Sequence, residues 1–296
     1  MKVMVIGAGG QLGGDLGRLL PPEDCIPLTH AEIEICDPES VRQAFDRHQP
    51  DVVINTAAFH RVDDCESQGD RAFQTNALAV RGLAQASRAR GAVLVHFSTD
   101  YVFDGAQTEP YVETDRPGPL SVYAASKLAG EYLVAATHPL HFVIRTCGLF
   151  GLGGSRSKGG GGNFVETMLR AAAQGKHLRV VSDQVVTPTA TADLARKVIE
   201  LIQTQSYGLY HITAQGSCSW YEFARTIFEL ADVRADLVPV TAEAFGAPAR
   251  RPPYSVLRNR NLEVLGLDDV PPWQDGLRRY LAERGKARRG GGFQVA

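Results

Sequence analysis

The five cysteines of this 296-residue chain, Cys25, Cys36, Cys65, Cys147 and Cys218, are scattered, odd in number and free of any C-x-x-C pair. That pattern indicates neither a disulfide framework nor a zinc site, and a reducing, cytoplasmic compartment fits it best. Charge of one sign is lacking as well. A net charge of -2 gives no general attraction to polyanions. No basic stripe with interleaved aromatics is present, so nucleic acid is not an expected partner. The one basic cluster, Lys286 to Arg289 beside a glycine run, reads as a solvated tail, and 286–296 is expected to be disordered. Long apolar runs are missing too. The start, Met1 to Gly7, is too short in apolar residues for a signal peptide, and no later segment has the length to span a bilayer, so no membrane partner is expected. What remains, with 44% apolar and 22% charged residues, is the composition of a soluble globular protein of one large or two intimately joined domains.

Val3 to Ile6 is a short β-branched run followed at once by Gly7-Ala8-Gly9-Gly10-Gln11-Leu12-Gly13 and then by a helical spacing of leucines at 12, 16, 19 and 20. Strand, tight glycine turn and helix in that order form a dinucleotide-binding signature. The glycines let the backbone approach a pyrophosphate, whose charge is met by amides at the helix start. A second strand, Cys25 to Leu28, ends at Thr29-His30, where a Rossmann half places the group that handles the adenosine ribose. No acid stands there, which leaves NADP open beside NAD. Glu32, Glu34 and Asp37 are nearby, with Asp37 reading as the cap of the next helix. A third strand, Asp51 to Asn55, runs into Thr56-Ala57-Ala58, small residues that let backbone pass close to a cofactor. A helix is expected around Ala72 to Ala89, containing Asn76, and then a buried strand from Val93 to Phe97 in which His96 reads as a core residue rather than a catalyst.

At the end of that strand stand Ser98, Thr99 and Asp100, where open α/β sheets bind ligands. Tyr123 and Lys127 follow at the start of a helix, one turn apart on one face. An ammonium near a phenol favours the phenolate and lowers a pKa that is about 10 when unperturbed, which fits the tyrosine for acid–base work. Hydroxyl, tyrosine and lysine together make a set able to hold and protonate a carbonyl oxygen.

The order GxxGxxG, STDYVFDG, VYxxSKLAGE resembles the extended short-chain dehydrogenase/reductases, and within them the dTDP-4-dehydrorhamnose reductases. The likeness continues through Asn163-Phe164-Val165, Arg179 to Gln184, Pro188-Thr189, Ser219 to Ala224 and Ala249 to Pro252, covering about residues 1 to 283. It implies an α/β fold: a Rossmann-type doubly wound parallel sheet with a smaller α/β C-terminal substrate-binding region. Residues 1–150 would bind the cofactor, joined by a returning segment at about 185–215, and 151–285 would mainly bind the substrate.

The implied reaction is NADPH- or NADH-dependent reduction of the C4 ketone of a dTDP-4-keto-6-deoxyhexose, a nucleotide diphosphate sugar. Tyr123 would act as proton donor, Lys127 as its tuner and ribose anchor, and Thr99 as a hydrogen-bonding partner. Gly7, Gly10, Gln11, Leu12 and Gly13 would carry the pyrophosphate. Glu34 and Ile35 would lie by the adenine side, and Ala57, Ala58 and Phe59 by the nicotinamide. Ser98, Asp100, Gly148, Asn163 and Arg251 would contact the substrate, Arg251 through phosphate. A homodimer is compatible with the family. Two other readings stay open: a dinucleotide-binding regulatory subunit similar to methionine adenosyltransferase β, and an epimerase with tightly held NAD⁺.

The chain departs from the family in one place that bears on substrate. Where such reductases carry Thr-Ser-Trp, against which the sugar packs, this chain has Thr146-Cys147-Gly148. Of the carboxylates in the Mg²⁺ site of some members only Asp15 has a counterpart, so no metal is expected. The glycine-dense stretch 151–162 is a candidate lid.

Overall fold

The computed structural model describes residues 1–153 and 162–290. Strand β1 (Val3–Ile6) is buried along its whole length. Its alternation splits the interior in two, with Val3 and Val5 in one apolar cluster and Met4 and Ile6 in another. The turn after it feeds α1 (Gln11–Leu19), which sends Leu12 and Leu16 into the first cluster. Then come β2 (Cys25–Leu28) and α2 (Pro38–His48), whose start is capped by Asp37 accepting from the Glu39 amide at 3.0 Å. β3 (Val52–Asn55) follows, with α3 (Val62–Ser67), α4 (Gly69–Phe73), a π-helical turn over Gln74–Leu78 and α5 (Ala79–Arg90). The continuous helix expected around Ala72 to Ala89 is therefore interrupted. At that turn the Asn76 carbonyl comes so close to α6 below that a Cβ at Gly130 would run into its oxygen.

β4 (Val93–Thr99), a 3₁₀ turn over Asp100–Val102, α6 (Val122–Thr137) and β5 (His141–Thr146) complete the first half. Next are β6 (Leu149–Phe150), α7 (Phe164–Ala173), β7 (Leu178–Val181), β8 (Val185–Val186), β9 (Thr189–Ala190), α8 (Thr191–Leu201) and β10 (Gly208–His211). The chain closes with β11 (Cys218–Ser219), α9 (Trp220–Ala231), β12 (Leu237–Val240), α10 (Ala242–Phe245), α11 (Arg260–Val264) and α12 (Trp273–Gly290). α12 runs to Gly290, so the first part of the expected disordered tail is helical; 291–296 lie outside the described residues.

Six strands form one parallel sheet in the order β10-β5-β4-β3-β1-β2. Helices cover both faces, so this is the doubly wound α/β architecture. The order reverses between β1 and β3, and their carboxyl ends open the crevice in which such sheets bind ligands. β10 pairs with β5, and Leu194 and Val198 of α8 share the cluster of Leu12 and Leu16. Leu262 and Val270 join it too, further along the chain than the 185–215 segment. A separate apolar cluster of Phe150, Val165, Phe223, Trp273 and Leu277 holds the C-terminal region together. Among the described residues no helix is long and apolar enough to cross a membrane.

Candidate active site

Gly7 and Gly13 of the turn have a steric reason, whereas a Cβ at Gly9 would meet nothing within 4 Å. Gly7 sits at φ +84°, and a Cβ there would stand 2.5 Å from the Thr56 hydroxyl; one at Gly13 would collide with the Gly7 carbonyl. The backbone is thus packed on itself, with no room for side chains between strand and helix. Gly10 caps α1 without a side chain, and the first turn of that helix carries no acid, so its amides face outward uncompensated. A pyrophosphate fits such a cradle. Gln11 does something else: its side-chain oxygen accepts from the Gly151 amide at 2.8 Å and from Asn163 at 3.1 Å, tying the turn to the C-terminal region.

The loop after β3 borders the same turn, since the Gly7 backbone lies against Thr56 and the Ala57 amide. Phe59 in that loop is clamped by Asn76, which accepts from its amide at 2.9 Å and donates to its carbonyl at 3.0 Å. Asn76 also donates to Ser126 at 3.0 Å, and Ser126 donates to the Tyr123 carbonyl at 2.7 Å. A buried asparagine in the π-helical turn therefore couples the expected nicotinamide wall to the tyrosine helix. At the end of β2, Glu32 folds back so that its carboxylate accepts from the Thr29 amide at 2.7 Å and the Thr29 hydroxyl at 2.9 Å. These bonds hold the carboxyl below its usual range. The fold-back thus brings a carboxylate to Thr29 at the end of β2, where the sequence itself has no acid. Glu34 is spent locally, accepting from the Cys36 amide at 2.8 Å and lying 3.4 Å from His30, while Ile35 is buried in the second apolar cluster.

At the carboxyl end of β4 the structure sets the Thr99 hydroxyl beside Tyr123. Burial, followed by the neighbouring Asp100 charge, pushes the phenol above its ordinary value, with Thr99 opposing the shift. The expected lowering by Lys127 is not what the geometry delivers. The lysine nitrogen donates to the Phe97 carbonyl at 2.5 Å and lies 3.3 Å from His96 Nε2, turned under the sheet end rather than toward the phenol. Burial draws Lys127 down to about 8, against the pull of Glu131.

Asp100 spends its carboxyl within the protein. Its carboxyl is buried and accepts from Thr99 at 3.0 Å, Ser255 at 2.5 Å and the Cys147 thiol at 2.9 Å. Burial raises it to about 6 while those three donors oppose the shift. It is an anchor that fixes the Thr99 hydroxyl. Ser98 points to the opposite face of β4, opposite Arg145 in the ladder, with its hydroxyl unpartnered. Gly148 sits at φ +56°, and a Cβ would come within 3.0 Å of Pro188, so any larger side chain there would be strained. Asn163 caps α7 through the Glu166 amide at 3.0 Å and donates to Gly151 at 2.9 Å, which leaves its side chain committed to structure. Arg251 is gripped in two-point fashion by Asp63 at 2.9 and 3.0 Å, so a phosphate there would compete with a carboxylate already in place. Asp15, buried, pairs with Arg18 and accepts from Thr191, bracing α1 on α8. The candidate lid falls mostly on 154–161, outside the described residues.

Beside Tyr101 and Arg251 opens a cavity of about 220 Å³ walled by Phe164, Met168, Trp220 and Phe245. Its aromatic lining and two guanidiniums, of Arg179 and Arg251, suit a flat, anionic-tailed ligand. The sequence signalled these rings only as motif fragments. Asp63, Cys147 and Ser255 gave no local signal, because each meets its partner across more than forty residues.

Residues 1–285 match the family model described as RmlD substrate binding domain. The spore coat polysaccharide biosynthesis protein SpsK of Bacillus subtilis is 44% identical over 97% of this chain and 99% of its own length. The dTDP-4-dehydrorhamnose reductase of Escherichia coli is 35% identical over 96% and 98%. Among solved structures, the dTDP-4-dehydrorhamnose reductase of Clostridium acetobutylicum superposes with a TM-score of 0.91 at 41% identity, over 96% of this chain and 100% of that one. The Bacillus anthracis reductase in complex with NADP gives 0.90 at 40% identity, with the same coverage.

Proposed function

The chain belongs to the dTDP-4-dehydrorhamnose reductase (RmlD) family, and we propose that it reduces the C4 ketone of a dTDP-4-keto-6-deoxyhexose with NADPH or NADH, converting dTDP-4-dehydro-L-rhamnose to dTDP-L-rhamnose. The observation that carries the reading is the Thr99–Tyr123 pair, fixed from below by Asp100 and joined through Ser126 and Asn76 to the loop beside the glycine cradle.

The reduced nicotinamide, when bound, supplies hydride to the sugar C4. The cradle of Gly7, Gly10 and Gly13 with the first amides of α1 holds the pyrophosphate, and Ala57 to Phe59 bound the nicotinamide side. Tyr123, kept protonated by burial, gives its proton to the C4 oxygen as negative charge builds there. Thr99 orients that phenol, and Asp100 orients Thr99. Lys127 holds the nicotinamide ribose from a nearly closed position. The aromatic cavity takes the nucleotide end of the substrate, with Arg251 at its rim. Residues 1–150 with 185–215 serve the cofactor, 151–285 mainly the substrate, and the free cysteines accord with a cytoplasmic enzyme.

Incubating the purified chain with the product of dTDP-glucose dehydratase and epimerase tests this: NADPH or NADH is consumed and dTDP-L-rhamnose appears. No consumption with either dinucleotide overturns it. The position of Glu32 sets the choice between them. Removing its charge in Glu32→Gln is expected to raise kcat/KM with NADPH relative to NADH about fivefold, the scale of an exposed charge–charge contact with a 2′-phosphate. An unchanged ratio places the carboxylate away from the ribose.

A further inference from the structure

His96 reads as an inert core residue from its sequence, and it is fully buried on β4. Its two ring nitrogens are nevertheless both addressed. Nδ1 lies 3.4 Å from the side-chain nitrogen of Asn55, its register partner on β3, and Nε2 lies 3.3 Å from Lys127 Nζ. The orientation of the Asn55 amide is fixed independently, because its oxygen accepts from the Ala57 amide at 3.1 Å. An amide nitrogen only donates, so Nδ1 is the acceptor and the single proton of a neutral imidazole sits on Nε2, aimed at the lysine. The ring is neutral, since burial and the adjacent lysine hold it well below the usual histidine range. An N–H directed at Nζ meets a lone pair when Lys127 is an amine and meets another N–H when it is an ammonium.

We propose that Asn55 and His96 are positioning residues that set the charge state of Lys127, by holding a fixed imidazole N–H against its nitrogen. The consequence for turnover rests on the reductase reading above; the hydrogen-bond chain does not. The charged group that acts on Lys127 besides the imidazole is Glu131 on the same helix, itself paired with Arg145 of β5; Tyr123 stands one turn back on α6, with Asp100 and Cys65 beside the phenol. Glu131 favours the ammonium and the imidazole N–H favours the amine, so the lysine is poised by two opposed neighbours. The loop that orients Asn55 is the one expected to line the nicotinamide, which places the control of Lys127 next to the ring it serves.

Nitrogen-15 NMR of the full chain with labelled histidine reads the tautomer directly, and labelled lysine reads the titration of Lys127. The expected result is a neutral His96 protonated on Nε2 throughout the neutral range. Asn55→Asp sets an acceptor against Nδ1, draws the ring proton there and turns Nε2 into an acceptor for the ammonium. Lys127 then titrates about one pH unit higher, and the alkaline limb of kcat/KM moves with it. His96→Gln, which can turn an amide oxygen to the lysine, shifts it the same way and serves should Asn55→Asp not fold. A parent His96 protonated on Nδ1, or a Lys127 titration that stays put in both variants, overturns the proposal. A parent that reduces no keto sugar while showing the Nε2 tautomer and the shifted titration would remove the reductase reading and leave this one standing.

Discussion

Tyr123→Phe should lower kcat for keto-sugar reduction by about a thousandfold, within the range of a positioned general acid, while dinucleotide affinity stays close to that of the parent. The ring is retained, so its edge-on packing with Tyr101 at 6.3 Å between centroids survives. What disappears is the hydroxyl shared with Thr99 and the proton it carries. Steady-state kinetics beside fluorescence titration of the cofactor separates the two effects. A variant as fast as the parent would remove Tyr123 from the chemistry. The size of the effect follows from the surroundings: burial makes the phenolate hard to form before the ketone oxygen is charged.

Glu131→Gln should destabilise the fold by about 3 to 5 kcal/mol in denaturant titration. Arg145 and Glu131 are almost sealed from solvent, with side-chain exposures of 3% and 6%, and meet through two hydrogen bonds of 2.9 and 2.7 Å between β5 and α6. Removing one charge strands the guanidinium, which has one nitrogen already without a partner and otherwise stacks on Phe103 at 5.1 Å. Replacing both by apolar residues in Glu131→Leu with Arg145→Met should cost less than the single change, because no buried charge is left alone. A single variant as stable as the parent would mean that Glu113, close to the same arginine, already compensates it.

Much of the fold was legible because local chemistry and global packing agree. β1 and its glycine turn, the Asp37 cap and the core strand of His96 follow from patterns within a few residues, and parallel strands buried on both faces read as the continuous apolar runs they are. The Tyr123/Lys127 spacing correctly placed both on one helix. It could not tell that the lysine, fully covered, turns to His96 and Phe97. Burial direction is a tertiary property, and so is the sign of a pKa shift in which desolvation competes with a neighbour's charge. The same limit hid the interruption of the helix at Asn76, which lies against Gly130 in another element, and the return of Glu32 to the end of β2. Gly148 is instructive in the other direction. That a glycine stands after Thr146-Cys147 was visible, whereas its left-handed backbone close to Pro188 is a property of the fold.

Deuterium transfer tests the central claim most directly. With NADPH deuterated at nicotinamide C4 and dTDP-4-dehydro-L-rhamnose as substrate, the product should be dTDP-L-rhamnose carrying one deuterium at the sugar C4, with stoichiometric NADP⁺. A product without deuterium at that carbon, or a cofactor that stays reduced while the sugar changes, would contradict the account.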